Sequence, residues 1–399
     1  MSDTPALTGR YNMLPMESVI FGPGTVSQVK TEAERLGMKR IFLIISPSLA
    51  RTTDVQQRLE ADLGDKLAMV YSGSQPHVPD TVVLDAAAQA RATGVDGILA
   101  VGGGSPVDIA KAVNLCLADG VETREQLLEH AVKFTYPDQM FVPEITGQTL
   151  PQISVATTLS AGEFSHITGI TDTVDLVKNM YIDTKMTAKV VIHDSELCAS
   201  TPRRLWAGTG MRAVDHCIEG LCSTTAQPMV SALCADALRR LVRYLPISAK
   251  DPNDLHAASQ CLTAAWQSLQ GLSNVTMGLS HGCGHQLGAR NGVPHGETSC
   301  VMLPTVLDYN YEYTKDQQQL VAEIMADEMG VPVPTDGASD IVRQFIESLD
   351  LPTRLSEVGV TREDFPFIAR DAMNDMIVAT NPRPVAGEPD VLKILEQAY

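Results

Sequence analysis

One short stretch constrains the fold most: a strand has to stop there and a helix has to begin at once. Gly97-Ile98-Leu99-Ala100-Val101 is a buried-strand run, and Gly102-Gly103-Gly104-Ser105-Pro106 follows it directly. Three glycines let the backbone turn where side chains would collide. Ser105 is expected to be the N-cap and Pro106 to sit in the first helical turn. A strand feeding a helix in this way belongs to a strand–helix–strand repeat. The flanking sequence supplies one: strands at 18–22, 40–45 and 67–71, and helices at 26–36, 49–63 and 81–93. Such alternation implies a parallel sheet covered by helices on both faces.

The pattern changes near residue 195. Beyond it, apolar residues recur at helical spacing, with helices expected at 232–244, 255–271, 317–329 and 338–349. Pro202 and Pro246 are read as helix starts or turns, and the proline-rich stretch from Asn381 to Pro389 as a surface loop. The expected architecture is an α/β nucleotide-binding domain over residues 1–195 and an all-helical catalytic domain over 196–399.

The glycine turn suits an anion. Free N–H groups and the positive end of a helix dipole favour a pyrophosphate, so Gly102, Gly103, Gly104 and Ser105 are expected to bind a dinucleotide. The spacing is neither Gly-x-Gly-x-x-Gly nor a P-loop. Asp108 either holds the glycine loop or approaches the nicotinamide side, and with Lys111 it reads as a solvated ion pair. Ser46 stands after the second strand, where an acidic residue would grip the ribose hydroxyls, and Arg51 lies nearby. NAD and NADP are therefore both admissible.

Net charge is −18, which disfavours nucleic acid and anionic membrane as partners. An acidic substrate would need local positive charge. Eight scattered cysteines without a Cys-x-x-Cys pair are read as buried thiols in a reducing cytosol, with Cys283 watched as a reactive one. Met1-Ser2-Asp3-Thr4-Pro5 lacks the features of a signal peptide, and no run of 18 apolar residues occurs, so a cytoplasmic protein is expected.

The second half carries Arg212 and His216 four apart, His281 and His285 four apart, and then His295. Residues four apart share a helix face. Converging imidazoles suggest a transition-metal site, yet the side chain placed to complete it is a guanidinium. Such a group would repel a divalent ion by several kcal/mol even at an effective dielectric of about 20 and cannot deprotonate. The expectation is that no metal binds. If one does, its ligands are His216, His281 and His295, with Arg212 turned towards Asp215 or Glu219. Asp215 itself is judged badly placed as a replacement ligand.

Taken in order, Gly102-Gly103-Gly104-Ser105-x-x-Asp108-x-x-Lys111, Thr157-Thr158, Gly210-Met211-x-Ala213-x-x-His216-x-x-Glu219, His281-x-x-x-His285 and Pro294-His295-Gly296 resemble the iron-containing (group III) alcohol dehydrogenase superfamily. The resemblance spans about residues 17 to 310. It implies the two-domain architecture shared with dehydroquinate synthase, a reactive cleft between the domains, and a homodimer. Metal-dependent members hold their ion with an aspartate and three histidines, at positions matching Arg212, His216, His281 and His295. The metal-independent maleylacetate reductase branch also departs at the aspartate. Thr157-Thr158-Leu159-Ser160-Ala161-Gly162-Glu163 and His295-Gly296-Glu297-Thr298 resemble that branch. Thr157, Thr158 and Ser160 are thereby implied in coenzyme binding, with Glu163 and Lys178 as candidate frames of the nucleotide pocket.

The expected activity is NAD(P)H-dependent reduction of a small unsaturated oxo-dicarboxylic acid, maleylacetate-like, to 3-oxoadipate, as in aromatic-compound degradation. Arg212 and protonated histidines would polarise and anchor the acid, His285 or His295 would deliver a proton, and His216 and His281 would orient the substrate. Three rivals stand beside it: a metal-dependent alcohol or hydroxy-acid dehydrogenase, a lyase of the dehydroquinate-synthase type, and an inactive nucleotide-binding protein. His77, His130, His166, His193 and His256 lack such company and are read as structural.

Overall fold

The computed structural model describes residues 8–271 and 273–399, so the first five residues, read above for a leader, lie outside it. Six strands form one parallel sheet: β1 (Ser18–Phe21), β2 (Ile41–Ile45), β3 (Leu67–Tyr71), β4 (Gly97–Gly102), β7 (Gln152–Ala156) and β10 (Val190–His193). Their order is β1-β10-β7-β4-β2-β3, and every pairing is parallel. Two antiparallel hairpins lie outside the sheet: β5–β6 (Lys133–Thr135 and Gln139–Phe141) and β8–β9 (Ile167–Asp172 and Val177–Ile182).

Both faces of the sheet are buried, which explains the continuous apolar run of β2. Phe42 and Ile44 join a core with Ile98 and Ala100 on one face. Ile41, Leu43 and Ile45 join Leu99, Val101, Ile153 and Val155 on the other. This two-residue alternation is what a strand covered on both faces requires.

Beyond His193 the described elements are helical, and a third core forms around the Arg203–Cys222 helix, which is buried from Trp206 to Cys222. Two expectations need correction. The 49–63 helix is two helices, Pro47–Thr52 and Val55–Leu63, because Thr53 turns extended and its hydroxyl donates to the Leu49 carbonyl at 2.7 Å. Pro246 neither starts nor breaks a helix. It lies inside Pro228–Lys250, whose apolar face of Leu241, Leu245 and Ala249 is buried in the core. Packing of that face outweighs the missing N–H. Among the described residues no helix is long and apolar enough to cross a membrane.

Candidate active site

The chain runs outward from β2 to β3, then returns past β2 to β4. The reversal leaves a crevice at the carboxyl ends of β2 and β4, where open α/β sheets bind ligands. Ser46 and Gly102 meet there: the Ser46 N–H donates to the Val101 carbonyl at 3.0 Å. Gly102 has φ +145°, and a Cβ on it would lie 2.9 Å from both Ser46 Cβ and Pro106 Cγ. No other residue fits that turn.

The helix after it, Gly104–Asp119, has Gly103 as its N-cap, with no side chain capping it. Ser105 is therefore not the N-cap; it lies inside the first turn. The leading N–H groups stay free of side-chain acceptors, which suits a pyrophosphate. Thr158 and Ser160 border the same turn. A Cβ on Gly103 would touch Thr158 at 3.0 Å, and one on Gly104 would touch Ser160 at 3.2 Å. Thr157 is buried, and its N–H donates to the Gly102 carbonyl at 2.9 Å.

Two neighbours differ from expectation. Lys111 is fully buried, donating to Asp108 at 3.2 Å and to the carbonyls of Gly162 and Ile167 at 2.6 and 2.8 Å. It clamps the Gly162–Ile167 segment and is not a solvated charge. Glu163 is also removed from the pocket, bonded at 2.9 Å to His193 with both side chains buried. Lys178 is on β9 and is coupled through charge to Asp108 on the helix that follows the glycine turn. Its long stem crosses Gly169, where a Cβ would sit 2.1 Å from Cε. Burial lowers its pKa, Asp108 and Asp375 raise it, and Arg212 lowers it.

The four histidines and the arginine do converge. His216 and His281 rings lie 5.1 Å apart, and the His285 and His295 rings stack at 5.6 Å. Close helix crossing makes this possible. A Cβ on Gly296 would lie 2.3 Å from the Gly208 carbonyl group, so glycine is what lets the His295–Asn310 helix start against Arg203–Cys222. Carboxylates fix two of the rings from behind: His281 Nδ1 lies 2.6 Å from Glu219, and His285 Nδ1 lies 2.7 Å from Asp375. Glu219 also accepts the N–H groups of Gly278 and Ser280 at 2.9 and 3.0 Å. Burial raises the Glu219 pKa, while these backbone donors and Arg212 oppose the rise; with Glu219 as acceptor, His281 donates from Nδ1. The other nitrogen, His281 Nε2, is buried without a partner among the described residues, as are His295 Nδ1 and Asp215 Oδ1.

Arg212 is buried among these rings. It donates to the Ser299 hydroxyl at 3.1 Å and stands 3.6 Å from Asp215. Asp215 is better placed than the sequence suggested: its Oδ2 accepts from Ser280 and Ser299 at 2.8 and 2.6 Å, and it lies 3.5 Å from His281 Nδ1. Asp215, Glu219 and His281 thus bring possible ligand atoms within 4.8 Å of one another. Hydrogen bonds already occupy Glu219 and the His281 nitrogen that faces it, so this cluster positions the imidazole.

Burial, then the neighbouring imidazole and Arg212, hold His216 well below its ordinary pKa. Burial and Arg212 do the same for His281 and His295. These three rings are neutral at pH 7, contrary to the protonated rings expected. Cys283 is inert, its thiol pushed up to about 12 by burial. Asp375 gave no warning in the sequence: it follows a short helix in a segment without periodicity and is identified only by its contact with His285.

Residues 16–195 match the iron-containing alcohol dehydrogenase family, and residues 206–399 match the C-terminal part of the Fe-containing alcohol dehydrogenase family. Dehydrogenase FUM7 of Gibberella moniliformis is 32% identical, over 92% of each chain. The crystal structure of maleylacetate reductase from Rhizobium sp. strain MTP-10005 is 27% identical with a TM-score of 0.77, covering 98% of this chain and 97% of that one. The structure of a 1,3-propanediol oxidoreductase is 26% identical with a TM-score of 0.87, covering 98% of this chain and all (100%) of that one. Since the family is described as iron-containing, these likenesses give the expected absence of a metal no support.

Proposed function

From the premise that this chain belongs to the iron-containing alcohol dehydrogenase family and is an NAD(P)-dependent oxidoreductase, we propose that it reduces an unsaturated oxo-dicarboxylic acid of the maleylacetate kind, with Arg212 serving as anion anchor. One observation carries this reading: a buried guanidinium, held by Ser299, sits among the imidazoles at the position the resemblance gives to a metal-holding aspartate. The donor set does not fit that four-ligand pattern. Carboxylate-backed imidazoles such as Glu219–His281 and Asp375–His285 occur around metals too, so Arg212 is the discriminating residue.

The bound nicotinamide supplies a hydride. The chain's own residues do the rest. Arg212 grips a substrate carboxylate through charge-assisted hydrogen bonds. Burial and Arg212 keep His281 and His295 neutral; an incoming dianion raises their proton affinity. With Nδ1 committed to Asp375, His285 exchanges protons through Nε2, and the carboxylate behind it makes it the stronger candidate to protonate the carbon next to the carbonyl. His216 and His281 orient the acid. The same reading keeps residues 1–195 as the coenzyme half, 196–399 as the catalytic half, and a homodimer as the working form.

The test is loss of NADH or NADPH absorbance against a panel of unsaturated oxo-diacids and short alcohols or aldehydes, before and after chelator treatment, with the metal content measured. Chelator-resistant reduction of diacids is expected. Activity confined to alcohols and aldehydes, abolished by chelator and restored by one metal equivalent, would favour the metal-dependent dehydrogenase instead.

A further inference from the structure

A cleft of about 780 Å³ opens beside Asp375, the carboxylate that holds His285. None of the glycine-turn residues lines it. Its floor holds Lys178, Gln286 and Asp375. Asp375 is also the partner of His285, so a single side chain separates the cleft from the ring that handles the proton. Pockets of this size enclose drug-sized molecules, and a bare six-carbon diacid leaves most of it unfilled.

The walls indicate what belongs there. The β5–β6 hairpin forms the outer side, carrying Met140 and Phe141 at 57% and 61% exposure, with Met376 among the lining residues. These two side chains offer an apolar contact beside the polar Lys133, Thr135, Asp138 and Gln139 of the same segment. The hairpin is fastened, because the Tyr136 hydroxyl donates to the Val385 carbonyl in the helical half. Thioethers and an aromatic edge accommodate varied hydrocarbon shapes. One polar mark lies deeper. Gln286 is 3% exposed, and its Oε1 is buried without a partner, an acceptor that costs free energy unless a ligand donor meets it. Lys178 makes no salt bridge among the described residues.

We propose that this cleft is a tail subsite: the acid reduced carries an alkyl or aryl substituent, seated beneath the Lys133–Phe141 hairpin, with a hydroxyl or amide donor near the branch point facing Gln286. This deepens the reading above and rests on it for the identity of the reacting group. The bare diacid is then a minimal substrate and the substituted acid the preferred one.

Two measurements test it separately from the reaction itself. In wild type, kcat/KM for oxo-enoic acids bearing substituents from methyl to octyl should climb with length, by up to about fourfold for each fully buried methylene. A Met140→Ser/Phe141→Ser double variant should flatten that slope, through KM. Calorimetry with 2-octylsuccinate and succinate, in the presence of oxidised coenzyme, reads the subsite without turnover. The octyl compound should bind at least tenfold more tightly. Equal Kd values, or a flat series in wild type, overturn the subsite. Tighter octylsuccinate binding with no reduction of any oxo acid upholds the subsite and sinks the assigned reaction.

Discussion

Arg212→Asp separates an anion-gripping pocket from a metal centre. In wild type the guanidinium stands 3.6 Å from Asp215 inside a buried cluster that also contains Glu219. At an effective dielectric of about 20, unit charges at that distance attract by roughly 4–5 kcal/mol, part of which offsets the cost of burying the cation. Removing one partner of a buried pair costs about 3–5 kcal/mol, and the new carboxylate adds repulsion. With an unfolding entropy of about 2.1 cal/mol/K per residue, a chain of 399 residues shifts by roughly 1 °C per kcal/mol. In chelator, the variant should therefore melt about 3–6 °C below wild type. It now offers an acid and three imidazoles, so Zn²⁺ at about a hundred times its Kd should stabilise it by about 2.7 kcal/mol, or roughly 3 °C. Wild type should shift by less than about 1 °C in the same titration. Scanning calorimetry with and without Zn²⁺, paired with metal analysis after dialysis, provides the assay. If wild type retains one equivalent of metal and gains as many degrees as the variant, the guanidinium does not exclude a cation and the reasoning is wrong.

Four further outcomes follow from the geometry. Gly296→Ala places a methyl 2.3 Å from the Gly208 carbonyl; overpacking of about 1–3 kcal/mol should lower the melting temperature and also cut kcat, because His295 begins that helix. Asp375→Asn should reduce kcat/KM by about 10- to 100-fold and displace the pH profile, with near-UV circular dichroism unchanged; an unaltered profile would remove His285 from proton delivery. Burial holds His77 and His166 at about 4, below the ordinary 6.5. The unfolded chain then takes up protons first, so stability is full above pH 6.5 and falls as pH drops from 6.5 towards 4. His77→Asn, which tolerates the native φ of +62°, should flatten part of that loss in a melting series. Finally, Ser46→Asp should raise KM for NADPH far more than for NADH, since an acid at the end of β2 repels a ribose phosphate.

The first half of the fold was legible because its signals were local. Apolar runs of five residues ending in glycine or serine could only be buried strands, and β2 and β4 lie where the spacing put them. β7 and β10 are just as buried, but nothing short-range distinguishes them from loop-bounded apolar segments; their places in the sheet depend on pairing with strands distant in sequence, such as Ser18 with Val190 and Ile98 with Gln152. Pro246 misled for the same reason. A missing N–H is visible in sequence, whereas the buried face of Leu241, Leu245 and Ala249 that keeps the helix whole is not. The converging side chains were legible through their four-residue spacing. Their partners were not, because Asp375 and Ser299 reach the histidines and Arg212 from distant segments. Asp215 was misplaced for a simpler reason: helical spacing says which way a side chain starts, and the Ser280 and Ser299 hydroxyls decide where its carboxylate ends.

Those partners change how the charge of the cleft is understood. The chain carries a net −18, yet Glu219 and Asp375 point at imidazole Nδ1 atoms and Asp215 Oδ2 at two serine hydroxyls and Arg212. Glu219 and Asp215 are thus turned towards their own donors, whereas Asp375 also reaches the floor of the cleft. Beside them stand the guanidinium of Arg212, the amine of Lys178 and imidazole nitrogens. An acid bound as proposed would meet the Arg212 guanidinium, whose counter-charge Asp215 lies on the same helix. A neutral alcohol gains nothing from that arrangement. The same layout explains why Arg212 can remain buried and charged: its compensation comes from Asp215 and Glu219 on its own helix, whose fields oppose the effect of burial on its pKa. A lysine at 212 would keep the charge but lose the planar fork that grips a carboxylate through two parallel hydrogen bonds, so selectivity for acids over aldehydes should fall in Arg212→Lys even where folding does not.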